Sequence, residues 1–171
     1  MQNAETIMSP ILTTRAGKYL GFRLDEEEYG IGLLRVQEII GLMKITQVPY
    51  APASFRGVIN LRGRIIPVLD LRRKFNLTFK ADTEKTCIIV VCVESHGVKA
   101  TMGVVVDHVS EVMDVKREQL EDPPEFGASI RNTFILAMGK VGTRVVMLLD
   151  IDKVLNDHEL GNAVNAAENG N

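Results

Sequence analysis

Gly57-Val58-Ile59-Asn60-Leu61-Arg62-Gly63-Arg64-Ile65-Ile66-Pro67-Val68-Leu69-Asp70-Leu71 is the stretch on which the fold turns. Val58, Asn60 and Arg62 alternate with Ile59 and Leu61, the period of two that predicts a half-buried strand. Gly63 accepts the positive φ of a tight corner, so the segment reads as two apolar strands hinged at Arg62-Gly63, the second ending at Pro67 and Asp70. A guanidinium at such a corner is either a solvated turn residue or one half of a fixed ion pair. The segment holds no nucleophile, phosphate cradle or metal ligand set, and it has the character of a recognition module.

Upstream, Gln47 to Ala53 is a loop stiffened by Pro49 and Pro52. Leu33, Val36 and Ile40, joined by Ile39, fall on one helical face, which predicts a helix over 33–40 closed by Gly41. Before it, 18–24 reads as a strand, Asp25-Glu26-Glu27-Glu28 as a solvated acidic hairpin tip, and Tyr29 to Ile31 as the returning strand. Residues 1–16 are polar and unpatterned, a mobile arm.

Downstream, 71–77 is a helical turn carrying the basic cluster Arg72-Arg73-Lys74, read as a solvated face like Lys116-Arg117. Strands are predicted over 86–93 and 98–106, around the turn Glu94-Ser95-His96-Gly97. Val109, Val112 and Val115 mark a further strand with imperfect alternation, and 116–127 is a polar, proline-bearing connection. A last hairpin over 134–138 and 144–149 leads into a short helix at 151–155 and a polar tail. Arg64 to Leu71 is echoed by Arg144-Val-Val-Met-Leu-Leu-Asp-Ile151, each a strand running into a helical turn at an aspartate. Two similar units, or chance likeness between apolar strands, would produce such an echo. Many short strands with regular turn signals predict an all-β pair of small barrels.

Among 171 residues, 46% are apolar, none is tryptophan and the formal net charge is −2, so no global field favours nucleic acid or anionic lipid. No apolar run approaches the ~20 residues that span a bilayer, and no secretory pattern opens the chain, which points to the cytoplasm. Cys87 and Cys92 would stand roughly 16 Å apart on opposite faces of one strand, far beyond the ~7 Å disulfide limit. Asp107, His108 and Ser110 suggest a triad, but neighbours in one strand cannot converge on a reacting atom. His96, His108 and His158 lack metal-ligand spacing.

Glu28-Tyr-Gly-Ile31, Val36-Gln-Glu-Ile-Ile40, Gly57-Val-Ile-Asn-Leu-Arg-Gly63, Ile66-Pro-Val-Leu-Asp-Leu71 and Leu148-Leu-Asp-Ile-Asp-Lys153 together resemble the CheW family of bacterial chemotaxis coupling proteins. The match runs in order over about 18–155, with neither the receiver domain of the CheV type nor a kinase segment. The resemblance implies two five-stranded, SH3-like β-barrel subdomains packed together, with short helices. The first would span about 17–80, completed by about 140–155, and the second about 84–139, with 156–171 a tail. It also implies a non-enzymatic adaptor without cofactor or metal, at the inner face of the membrane. Its partners would be methyl-accepting chemoreceptor cytoplasmic tips and the regulatory domain of the histidine kinase CheA, with self-association in rings. The residues it assigns to the receptor are Val36, Glu38, Gly57, Arg62, Cys87, Val109 and Val112. Those it assigns to the kinase are Met43, Glu121, Glu125 and Phe126, the last three on a loop stiffened by Pro123 and Pro124. Val36 would be core or groove, Phe126 interface anchor or core, and Glu38 with Arg62 a paired carboxylate and guanidinium. Gly57 would keep a side chain from intruding on a partner. Two alternatives are a coupling protein of another CheA-like pathway, such as surface motility, and a hydrolase using Asp107, His108 or Asp150.

Overall fold

A computed structural model describes residues 15–124 and 134–155. The expected tail, most of the expected arm, and both Glu125 and Phe126 lie outside the described residues. The described chain is built almost wholly of strands: β1 (Gly17–Leu24), β2 (Glu27–Gly32), β3 (Val36–Gly41), β4 (Phe55–Leu61), β5 (Arg64–Asp70), β6 (Cys87–Ser95), β7 (Val98–Val106), β8 (His108–Val115), β9 (Leu120–Glu121), β10 (Ile135–Val141) and β11 (Arg144–Leu149). Two single-turn helices, α1 (Leu71–Lys74) and α2 (Ile151–Val154), follow β5 and β11.

The strands form two sheets, ordered β8-β1-β2-β11-β10-β9 and β3-β6-β7-β5-β4. The second is one continuous run of chain inserted between the strands of the first. The N-terminal hairpin β1–β2 sits beside β8 and the C-terminal hairpin, while everything from β3 to β7 belongs to the second sheet. The sheets therefore do not follow the boundaries expected for the barrels: 36–70 pairs with 87–106, and 108–115 pairs with the N-terminus. The all-β, two-subdomain fold itself stands.

Three apolar clusters explain why the strands carry so little exposed polarity. Ile59, Ile66, Val68, Ile88, Val90 and Val105 fill the interior of the five-stranded sheet. Tyr19, Met113, Val115, Leu120, Ala137, Val146 and Leu148 fill the six-stranded one. The largest cluster, with Leu20, Phe22, Ile31, Val58, Leu69, Ile89, Val91, Val104 and Leu149, lies between them. Central strands thus bury both faces, which is why 88–91 is an unbroken apolar run. For the same reason β4 is not half-buried as its alternation predicts: Val58 and Ile59 are 8% and 1% exposed and serve different clusters.

The hinge at Arg62-Gly63 is a tight turn with both residues at positive φ (52° and 85°), as a two-residue hairpin loop of matching twist demands. Strand β5 runs through Pro67 to Asp70, and its parallel ladder to β7 begins at Val68, so the missing proline N–H falls outside that ladder. The sequence echo is structural. Asp70 caps α1 by accepting from the backbone N–H groups of Arg72 and Arg73, and Asp150 caps α2 by accepting from those of Asp152 and Lys153.

Three expectations are corrected here. Residues 33–40 are not a helix: one 3-10 turn at Leu33–Arg35 gives way to β3, held by pairing with β6, and Gly41 ends a strand. The acidic tip is not simply solvated, since Glu28 is 5% exposed, with Arg144 3.0 Å and Arg23 3.6 Å away. Arg72 is equally buried, at 7% exposure, between Asp25 and Asp107 at 2.8 and 2.7 Å. Local charge runs look solvated in sequence because their partners lie far along the chain.

Candidate functional site, an apolar groove between the sheets

Strands β3 and β8 are edge strands, one on each sheet. Each carries a bulge. On β3 the register shifts between Val36, opposite Val91, and Glu38, opposite Val90. Val91 belongs to the inter-sheet cluster and Val90 to the interior of the five-stranded sheet, so the bulge turns Val36 and Glu38 to opposite faces. It also returns Ile39, opposite Ile89, to the face of Val36. On β8 the shift falls between Val109, opposite Phe22, and Val112, opposite Leu20, and both valines face the inter-sheet cluster.

Val36 and Val109 are half-buried against that cluster, while Ile39 and Val112 extend beyond it at 45% and 50% exposure. Cys87 joins them, packed on the same cluster with its sulfur reached by a hydrogen bond from the Val109 backbone. Burial pushes the Cys87 thiol up, partly offset by that hydrogen bond, so it stays protonated at neutral pH. Together these side chains form an apolar border along the open side of the inter-sheet core.

Of the seven residues assigned to a receptor by resemblance, Val36, Cys87 and Val109 thus pack on the inter-sheet cluster, and Val112 lies on the same face by register. Ile39 lies on the same face by register; the helical reading of 33–40 already set it beside Val36 but did not name it as a site residue.

Glu38, Arg62 and Gly57 meet elsewhere, at the seam that closes the five-stranded sheet. Strands β3 and β4 are its opposite edges, yet Arg62 Nη1 and Nη2 donate to Glu38 Oε2 and Oε1 at 2.8 and 2.7 Å, a bidentate clasp from edge to edge. Beside it, Thr46 and Val58 exchange backbone hydrogen bonds of 2.8 and 2.9 Å. Gly57 has φ +141°, and a Cβ there would stand 2.1 Å from the Thr46 carbonyl oxygen. The intrusion would be on the protein's own backbone, not on a partner. Met43, 38% exposed, lies on the same crossing segment, whereas Glu121 sits on β9, paired with Lys140 at 2.7 Å.

The Arg62 hydrogen bonds hold the Glu38 carboxyl below its ordinary range. A carboxylate with a depressed folded pKa contributes stability above its unfolded pKa and loses that contribution as pH falls through the folded value. Arg62→Gln should therefore move the Glu38 titration midpoint upward in carbonyl-detected NMR. An unmoved midpoint would mean that the clasp is not populated in solution.

The groups named for a hydrolase are engaged separately. Asp107 Oδ2 accepts from Arg72 Nη1 and from the Asp25 backbone N–H at 2.7 and 2.8 Å, and Asp150 caps α2. Among the described residues, no three of His, Cys, Asp and Glu are grouped to hold a metal ion, and no helix is long and apolar enough to cross a membrane.

The fold and its border define a two-subdomain β module that offers an apolar strip between its halves. The CheW-like domain model matches residues 18–159, and the chain belongs to that family. It is 38% identical over 151 residues to the chemotaxis protein CheW of Klebsiella aerogenes, covering 88% of this chain and 89% of that protein. It is 31% identical over 148 residues to the chemotaxis protein CheW of Treponema pallidum, covering 84% and 85%. The crystal structure of the scaffolding protein TtCheW from Thermoanaerobacter tengcongensis superposes with a TM-score of 0.73 at 29% identity, covering 84% of this chain and 95% of that one.

Proposed function

We propose that this chain is a non-enzymatic chemotaxis adaptor that couples chemoreceptor cytoplasmic tips to the regulatory domain of the histidine kinase CheA, at the inner face of the membrane. The observation that carries the reading is the pair of edge strands presenting Val36, Ile39, Val109 and Val112 beside the inter-sheet core. Helix-in-groove recognition needs such an open apolar strip, spaced to take the anchors of an amphipathic helix. Membership of the CheW family supports the same role.

On this reading the receptor occupies the groove. The closing seam of Glu38, Gly57 and Arg62 holds β3 in place as one of its walls. The kinase contacts are made by Met43, Glu121, Glu125 and Phe126, none of which is a residue of the receptor border, so one molecule can hold both partners. Contacts of this head-to-tail kind close into rings where the rotation permits. The mechanism is positional: contacts that differ between receptor states shift the kinase equilibrium.

The test is co-sedimentation with receptor-bearing membranes and CheA, read by kinase autophosphorylation with and without this protein. Activation that attractant suppresses is the expected result. Binding without activation would assign the protein to another CheA-like pathway, such as surface motility. Absence of binding would overturn the reading.

A further inference from the structure

The topology is that of one unit used twice with its leading hairpins exchanged. Each unit runs leading hairpin, crossover, edge strand, closing hairpin, capped helix: β1–β2, β3, β4–β5, α1, then β6–β7, β8, β10–β11, α2. Each leading hairpin lies in the sheet completed by the other unit. The register shifts of the closing hairpins fall at matching places, Phe55/Gly57 and Ile135/Ala137, and β5 and β11 pair in parallel with β7 and β2.

At the second residue of each capped helix stands a charge that reaches across the exchange. Arg72 of α1 pairs with Asp25 at the tip of its own leading hairpin, and with Asp107 on the crossover of the other unit. Asp152 of α2 accepts from the Glu94 backbone N–H, near the tip of its own leading hairpin, at 2.8 Å. It also pairs with Arg35 on the other unit's crossover, Nη1 to Oδ1 at 2.8 Å, and Arg35 donates in turn to the Cys92 carbonyl at 3.0 Å. The second staple is the first with its charges reversed. Arg35 immediately precedes β3, and Asp107 immediately precedes β8.

We infer that Arg35–Asp152 and Arg72–Asp107 are positioning residues for the groove: two charge-reversed staples that set the placement of its walls by pinning the residue from which each wall departs. They touch no partner themselves.

The experiment is backbone hydrogen exchange on the full chain, paired with binding to receptor-bearing membranes. Asp152→Asn is expected to speed exchange in 36–41 about ten-fold while 108–115 and the closing hairpins keep their protection, and to weaken membrane binding about ten-fold. Asp107→Asn should speed exchange in 108–115 and spare 36–41, with a similar loss of binding. The double variant Arg35→Asp with Asp152→Arg rebuilds the staple in the polarity of its twin and should restore both readouts. Unchanged exchange in both single variants would overturn the inference. So would uniform acceleration over both sheets, which is ordinary destabilisation. Only the binding readout rests on the proposed coupling role: if the wild-type chain ignores receptor membranes while the exchange pattern and its rescue appear, the coupling role falls and the staples stand.

Discussion

Ile39→Glu is expected to abolish co-sedimentation with receptor membranes and leave the thermal midpoint within about 2 °C of wild type. Ile39 is 45% exposed in the free protein, so a carboxylate there remains solvated and the fold loses little. In the occupied groove the same carboxylate would be desolvated among Val36, Val109 and Val112 without a cationic partner. Burying an unpaired polar or charged group costs about 3 kcal/mol or more, roughly a hundred-fold or greater loss of affinity. Val36→Glu should also abolish binding but lower the melting temperature, because Val36 packs on the inter-sheet core. Undiminished binding by Ile39→Glu would remove this border from the receptor site.

Among the described glycines, Gly57→Ala should be the most damaging substitution by alanine. It combines a φ of +141°, which L side chains rarely adopt, with a Cβ position 2.1 Å from the Thr46 carbonyl oxygen. The obstacle is backbone, so no side chain can swing aside. Relief requires parting Thr46 from Val58 and opening the seam beside the Glu38–Arg62 clasp. A cost of about 3–5 kcal/mol follows from overpacking and backbone strain together, a fall of about 10 °C or more in melting temperature for a chain of this size. Thermal denaturation followed by circular dichroism would show it, and a wild-type melt would mean that Thr46 and Gly57 do not approach so closely in solution.

Much of this fold was legible in the sequence. The hairpin at Arg62-Gly63, the free and separated cysteines, and the echo between 64–71 and 144–151 all follow from local rules of turn, alternation and capping. The misreading of 33–40 has a definite physical cause. A β-bulge puts residues three apart on one face, so Val36 and Ile39 reproduce the spacing of a helix while lying in a strand. Val109 and Val112 repeat the device, which is why β8 alternates imperfectly. The other misses were matters of distance along the chain. Nothing local tells Arg72 that Asp107 will bury it, or Glu28 that Arg144 awaits it. Of the candidate site, the valines and Cys87 were assigned by resemblance; their division from Glu38, Gly57 and Arg62 needed the register.

The threading of the two sheets bears on how the protein is made. Strand β11 pairs in parallel with β2, Val146 beside Glu28 and Leu149 beside Ile31, so the β1–β2 hairpin gains this neighbour only after β3 to β10 have been made. The other sheet can close earlier, since its last strand to emerge is β7. Until β8 and then β11 emerge, the β1–β2 hairpin waits with its outer edges unfilled, an interval in which chaperones or a neighbouring nascent chain compete for it. A fold with so many distant partners matures late, as one cooperative body, and cannot be divided into two working halves by cutting the chain at its middle.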